Sequence, residues 1–70
     1  MKALYCYDGR SPRYVVIRGP GLGAWLKGQG IPASWVGLDR GFRLDRERLA
    51  DTLAAAQDDG VPVSLRGEVR

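Results

Sequence analysis

Gly30-Ile31-Pro32-Ala33-Ser34-Trp35 is echoed thirty residues later by Gly60-Val61-Pro62-Val63-Ser64-Leu65, and this echo limits what the chain can fold into more than any other feature. At the same offset Arg10 meets Arg40, Arg13 meets Arg43, Arg18 meets Arg48 and Tyr5 meets Trp35. Ten of forty aligned pairs are identical, where composition alone gives about three or four. The reading that follows is a ββα unit used twice and closed by a last strand, ββα–ββα–β. The two units run over about residues 1–32 and 33–65 of a single small α+β domain, 1–70. Each buries one face of its hairpin against its own helix, and together they share a two-layer sheet with two helices. The alternative is convergence, since a helix-ending glycine followed by a strand produces such an echo without duplication.

The local signals agree with this order. Lys2–Tyr7 is rich in strand formers, Asp8-Gly9-Arg10-Ser11-Pro12 in turn residues, and Arg13–Arg18 returns as a second strand. Tyr14-Val15-Val16-Ile17 is apolar without alternation, which marks a central strand or one covered on both faces. Pro20 suits a first helical position, and Leu22, Trp25 and Leu26 lie on one helical face, so the spacing predicts a helix over about 20–28. Ser34–Leu38 and Phe42–Leu44 read as strands around an Asp39-Arg40-Gly41 turn, with Gly41 as its left-handed residue. Asp45 is the expected N-cap of a second helix, Leu44 and Leu49 its hydrophobic staple, and Gly60 its terminator. Leu49, Leu53 and Ala56 form its apolar stripe, while Asp58 and Asp59 oppose the helix dipole. Val61–Leu65 is an edge strand because of Pro62, followed by five frayed residues.

A chain of seventy residues buries a modest core and gains from staples. One cysteine and no histidine exclude an internal disulfide and a tetrahedral zinc site. Packing or oligomerisation must supply the stability, which leaves a homo-oligomer open. A lone Cys6 in a strand suits a buried thiol in a reducing cytoplasm. No apolar run is long enough to span a membrane, so no membrane partner is expected.

Catalysis has little to stand on. Without histidine, acid–base work falls to carboxylates, tyrosines or Cys6, and the serines lack an activating base. The acids Asp45, Glu47, Asp51, Asp58 and Asp59 read as helix caps and a solvated face. Gly19-Pro20-Gly21-Leu22-Gly23 sits where a phosphate loop would, yet lacks the Gly-Lys-Ser/Thr ending and reads as a close-packed turn. The expectation is a non-enzyme with no catalytic residue, metal or cofactor.

The charges point to binding. Net charge is +3, and nine of the eleven bases are arginine. Residues 1–44 carry seven positive and two negative charges, residues 45–70 four positive and six negative. Arg10 and Arg13 flank one hairpin turn and Arg40 and Arg43 the other, so equivalent tips would set four guanidinium groups along one edge. Trp35 and Phe42, with Tyr5, Tyr7 and Tyr14 on the same strands, supply aromatic surface for stacking. Arg10, Arg13, Arg40, Arg43, Trp35 and Phe42 are therefore the candidate nucleic-acid contacts. Against this, Arg is abundant, turns are exposed anyway, and aromatics are needed for a small core. A protein partner is the other reading, with the basic part of one copy meeting the acidic helix of another copy or of a host protein.

From Trp35 to Leu65 the order is aromatic strand, basic turn, Arg40-Gly41-Phe42, Leu44, then a helix with Leu49 and Leu53. This order resembles the HARP module of annealing helicases, and the resemblance implies a small DNA-contacting accessory domain. The whole chain also looks like the short proteins of actinobacteria and their phages, which implies a small accessory or host-modulating factor.

Overall fold

Tyr14-Val15-Val16-Ile17-Arg18 forms the central strand of a five-stranded sheet, and the other elements assemble around it. The computed structural model describes residues 1–68. In chain order the elements are β1 (Leu4–Asp8), β2 (Tyr14–Arg18), α1 (Leu22–Gln29), β3 (Ser34–Val36) and β4 (Gly41–Asp45). A 3₁₀ turn (Arg46–Arg48), α2 (Leu49–Asp58) and β5 (Val63–Glu68) complete the fold. The strand order is β3-β4-β2-β1-β5, so the ββα–ββα–β order read from the sequence is the order of the structure.

Two hairpins, β1–β2 and β3–β4, lie back to back through an antiparallel β2–β4 pairing that sets Val15 opposite Leu44 and Ile17 opposite Phe42. Helix α1 carries the chain from β2 to the parallel β3, and α2 carries it from β4 to β5, which pairs parallel with β1. The two crossovers start from oppositely directed strands and travel in opposite directions. With the right-handed rule for such connections, both helices fall on the same face of the sheet. That face and the helices share one core: Leu4, Cys6, Val15, Ile17 and Leu44 from strands, Leu22 and Leu26 from α1, Ala56 from α2, and Val61.

The two helices end alike, thirty residues apart. Gly30 and Gly60 both adopt left-handed backbone, with φ of 69° and 68°. Ile31 N–H donates to the Leu26 carbonyl and Gly30 to Lys27, as Val61 does to Ala56 and Gly60 to Gln57. A side chain at either glycine would meet no atom within 4 Å, so only the backbone conformation selects Gly there. The thirty-residue spacing does not hold in the strands. Tyr5 and Trp35, equivalent at that offset, project from opposite faces, because Tyr5 alternates with the core residues Leu4 and Cys6 while Trp35 is paired with Phe42, which packs on the core.

Several local expectations are revised. Helix α1 begins at Leu22 with a left-handed Gly21 as N-cap (φ 72°), leaving Pro20 in the preceding turn. Asp45 ends β4, and its side chain makes no capping bond to the 3₁₀ turn that follows. The α2 residues buried against the sheet are Thr52 and Ala56, with Leu49 packed beside them, and Leu53 turns partly outward. Thr52 enters the core because its hydroxyl donates to the Arg48 carbonyl at 2.8 Å. β3 stops at Val36, with Gly37 and Leu38 in the turn. The left-handed residue of that turn is Arg40 (φ 51°), not Gly41. Gly41 is in β4, where a side chain would come within 2.8 Å of the Ile17 carbonyl and 2.9 Å of Val16 Cγ1, so it permits close approach and not an unusual φ. β5 begins after Pro62 and runs to Glu68, taking in residues expected to fray; 69–70 lie outside the described residues.

Candidate functional site

Alternation along the strands sends a second set of side chains to the face that no helix covers. From β1 these are Tyr5 and Tyr7, from β2 Tyr14, Val16 and Arg18, from β4 Arg43, and from β5 Ser64 and Arg66. The cross-strand register then places arginine beside tyrosine. The Arg18 guanidinium lies 4.5 Å from the Tyr7 ring centroid, Arg43 4.5 Å from Tyr14, and Arg66 5.4 Å from Tyr5. Each pair contributes about 0.5–1 kcal/mol at a half-exposed site. Val16 is fully buried beneath this layer although no helix lies above it, because the arginine stems and tyrosine rings cover it.

Asp39 organises the arginines. The β3–β4 turn brings it onto the same face, where it is fully buried. Its Oδ2 accepts from Arg43 Nε at 3.0 Å, and its Oδ1 lies 3.4 Å from Arg10 Nη2. The Asp39 carbonyl accepts from Arg18 Nε at 3.1 Å and also from Nη2. Three guanidinium groups from two hairpins thus converge on one residue. Among the described residues, Arg10, Arg18, Arg43 and Arg66 outnumber the acids Asp39 and Asp45 on this face. The acid at its centre is spent on ordering its neighbours.

The residues singled out from the sequence divide among three places. Arg10 and Arg43 belong to this cluster. Arg13 lies at the β1–β2 turn in an open hollow with Pro12, Asp45, Arg46 and Glu47, and its carbonyl accepts from Arg46 N–H at 2.9 Å. Arg40 is exposed in the β3–β4 turn, at the other end of β2. The two turns therefore occupy opposite ends of the sheet, since antiparallel β2–β4 pairing separates them, and the four arginines do not line one edge. Trp35 and Phe42 form an edge-to-face pair, centroids 5.3 Å apart, on the helix-covered side. They cannot stack with a ligand that Arg43 holds on the other face. Arg18, Arg66 and Asp39 were not singled out. Period-two alternation could have found the two arginines; nothing in the sequence marks Asp39.

Elsewhere the chemistry is structural. Asp59, set against the dipole of α2, accepts from the Trp25 indole N–H at 2.7 Å and from Gln29 at 3.0 Å, joining the two helices. Arg46 donates to the Pro12 carbonyl at 2.7 Å and lies 3.6 Å from Asp8, fastening the first hairpin turn. Burial pushes the Cys6 thiol pKa up, Asp8 adds to this, and Arg46 opposes it. Cys6 is thus a protonated core side chain, without the electropositive surroundings that activate a thiolate. Among the described residues no group of three His, Cys, Asp or Glu gathers where it could hold a metal ion, and no helix is long and apolar enough to cross a membrane.

No family model, curated protein or solved structure matches this chain, so the reading of the site rests on its residues.

Proposed function

We propose that this chain is a non-catalytic binding and regulatory module that takes single-stranded nucleic acid on the open face of its sheet. The observation that carries the reading is the interleaving of Tyr5, Tyr7 and Tyr14 with Arg10, Arg18, Arg43 and Arg66 on one uncovered surface. Tyrosine rings offer stacking to any base whose π-face is free, which a duplex does not present. Guanidinium groups beside them reach phosphate, and a plane already stacked on a ring can serve as a second stacking surface. The grip lies on the sheet face and not at the hairpin tips. The resemblance of residues 35–65 to a DNA-contacting module is in keeping with this, as that stretch supplies Asp39 and Arg43. A buried free thiol at Cys6 suits work in a reducing cytoplasm, as for a small phage- or mobile-element-like regulator.

The test is anisotropy of labelled oligonucleotides titrated at several salt concentrations. Intrinsic tryptophan fluorescence is the poorer probe, since Trp25 and Trp35 both lie away from the open face. Single strands should bind more tightly than duplex, with log K falling against log salt at a slope of about −2 to −3 for three or four phosphate contacts. Arg18→Ala with Arg43→Ala should flatten that slope by about 1.4. Tyr7→Ala should weaken binding by about 1–3 kcal/mol per lost stack and leave the slope unchanged. Absence of binding at low salt overturns the reading. A protein partner is the second reading, favoured by the apolar side chains exposed along the sheet edges.

A further inference from the structure

Four large apolar side chains are exposed among the described residues, and they divide between the two outer edges of the sheet. Trp35 (61 % exposed) and Leu38 (72 %) belong to β3 and the turn after it, Val63 (37 %) and Leu65 (72 %) to β5. On the β5 side, Val63 and Leu65 join Leu53, Gln57 and Val61 to line an open groove of about 400 Å³. On the β3 side, Trp35 stands against Phe42 as a projecting knob. Knob and groove lie on the helix-covered side alike, because Trp35 pairs with Phe42 and Leu65 with Cys6.

Strand direction makes the two edges complementary. β3 is antiparallel to β4, β4 to β2 and β2 to β1, while β5 is parallel to β1. β3 therefore runs opposite to β5. A second copy displaced sideways along the sheet brings its β3 antiparallel to the first copy's β5, with its Trp35 over the groove. Charge favours the same arrangement. Helix α2, which walls the groove, carries Asp51 and Asp58 and no base. Asp51 lines a separate hollow beside Gly30 and Arg48, so the helix draws the exposed Arg40 of the Leu38 turn, which makes no ion pair among the described residues, only at long range. Pairing β5 with β5 of another copy would instead bring two acidic helices together.

We propose that copies of this chain associate head to tail, with Trp35 and Leu38 of one copy seated in the Leu53–Val61–Val63–Leu65 groove of the next. The contact is heterologous, so it extends into chains instead of closing as a dimer. It is small and hence weak and concentration-dependent. Successive copies would set their open faces side by side.

The test is sedimentation velocity over a wide concentration range at low salt, without nucleic acid. Wild-type protein should grow past the mass of a dimer as concentration rises, and added salt should reverse this. Leu38→Asp spoils the knob and Leu65→Lys the groove; both sites are mostly exposed, and circular dichroism checks that neither variant has unfolded. Each alone should associate at least tenfold more weakly than wild type. Mixed in equal amounts, the intact groove of one and the intact knob of the other should restore a species that stops at a dimer. A strictly monomeric wild type at the highest concentration overturns the proposal. So does a Leu38→Asp protein that associates as strongly as wild type, since that result takes the β3 turn out of the contact.

Discussion

The two faces of the sheet use the same alternating strands and the same central residues, yet they are held in different ways. On the helix-covered face Leu4, Val15, Ile17 and Leu44 are all but removed from water by packing against other apolar atoms. On the open face Val16 is as deeply buried, but its cover consists of tyrosine rings and of arginine stems whose guanidinium groups gather on Asp39, Arg43 at its carboxylate and Arg18 at its carbonyl. The first face owes its order to non-directional burial. The second owes it to directed contacts among groups that water also solvates, so each contributes little net stability and can be redirected to a ligand. A small domain can thus keep a rigid core on one side and an adaptable binding surface on the other.

The largest expected effect tests the packed face. Ile17→Ala, at a fully buried site, should cost about 3 kcal/mol in urea unfolding, a large share of the stability of so small a domain. A cost below about 1 kcal/mol would mean that this core is loosely packed.

Asp39→Ala breaks the comparison most sharply, because stability and binding should move in opposite directions. Removing a buried carboxylate that orders Arg10 and Arg43 should destabilise the fold by about 2 kcal/mol, less than for a fully buried pair, since both arginines are partly solvated. The freed guanidinium groups should bind single-stranded nucleic acid more tightly and with a steeper salt slope. Loss of both stability and affinity would show that the arginines need Asp39 to hold a binding geometry.

A smaller effect is expected where the two helices meet. Asp59→Ala should cost about 1 kcal/mol and shift the Trp25 emission, because the indole N–H loses its acceptor. Affinity for nucleic acid should not change, as this contact lies on the other side of the sheet.

The smallest effect is at Cys6. Its raised thiol pKa means that the folded state favours the neutral form, owing first to burial and then to Asp8. The stability this gives is present below the thiol's unfolded pKa and is lost as pH rises through the folded value. Wild-type protein should therefore lose more stability than Cys6→Ala between pH 8 and pH 10, measured by urea unfolding at each pH. Equal losses would place the thiol in contact with water.

The order of elements was legible because each depends on local rules. Gly30 and Gly60 ended their helices with the same left-handed turn, and the unalternating run in β2 fitted the central strand that it is. The conflicts were legible too, though not their resolution. Asp59 opposes the dipole of its own helix because Trp25 and Gln29 on the other helix need an acceptor. Gly41 was expected to serve a turn, yet it serves the close approach of β2. Sites of this kind depend on residues far apart in the chain, and neither propensity nor periodicity carries that information.

The sequence by itself determined the α+β class, the ββα–ββα–β order, the helix-ending glycines and the edge position of the last strand. It did so because backbone preference, hydrophobic period and turn chemistry act over a few residues. Only the tertiary structure decided which arginines share a surface. Strand register sent Arg18, Arg43 and Arg66 to one face and Trp35 and Phe42 to the other, and antiparallel pairing put the two basic turns at opposite ends. A shift of one residue in register would exchange the faces, and register is set by partners that no local pattern names.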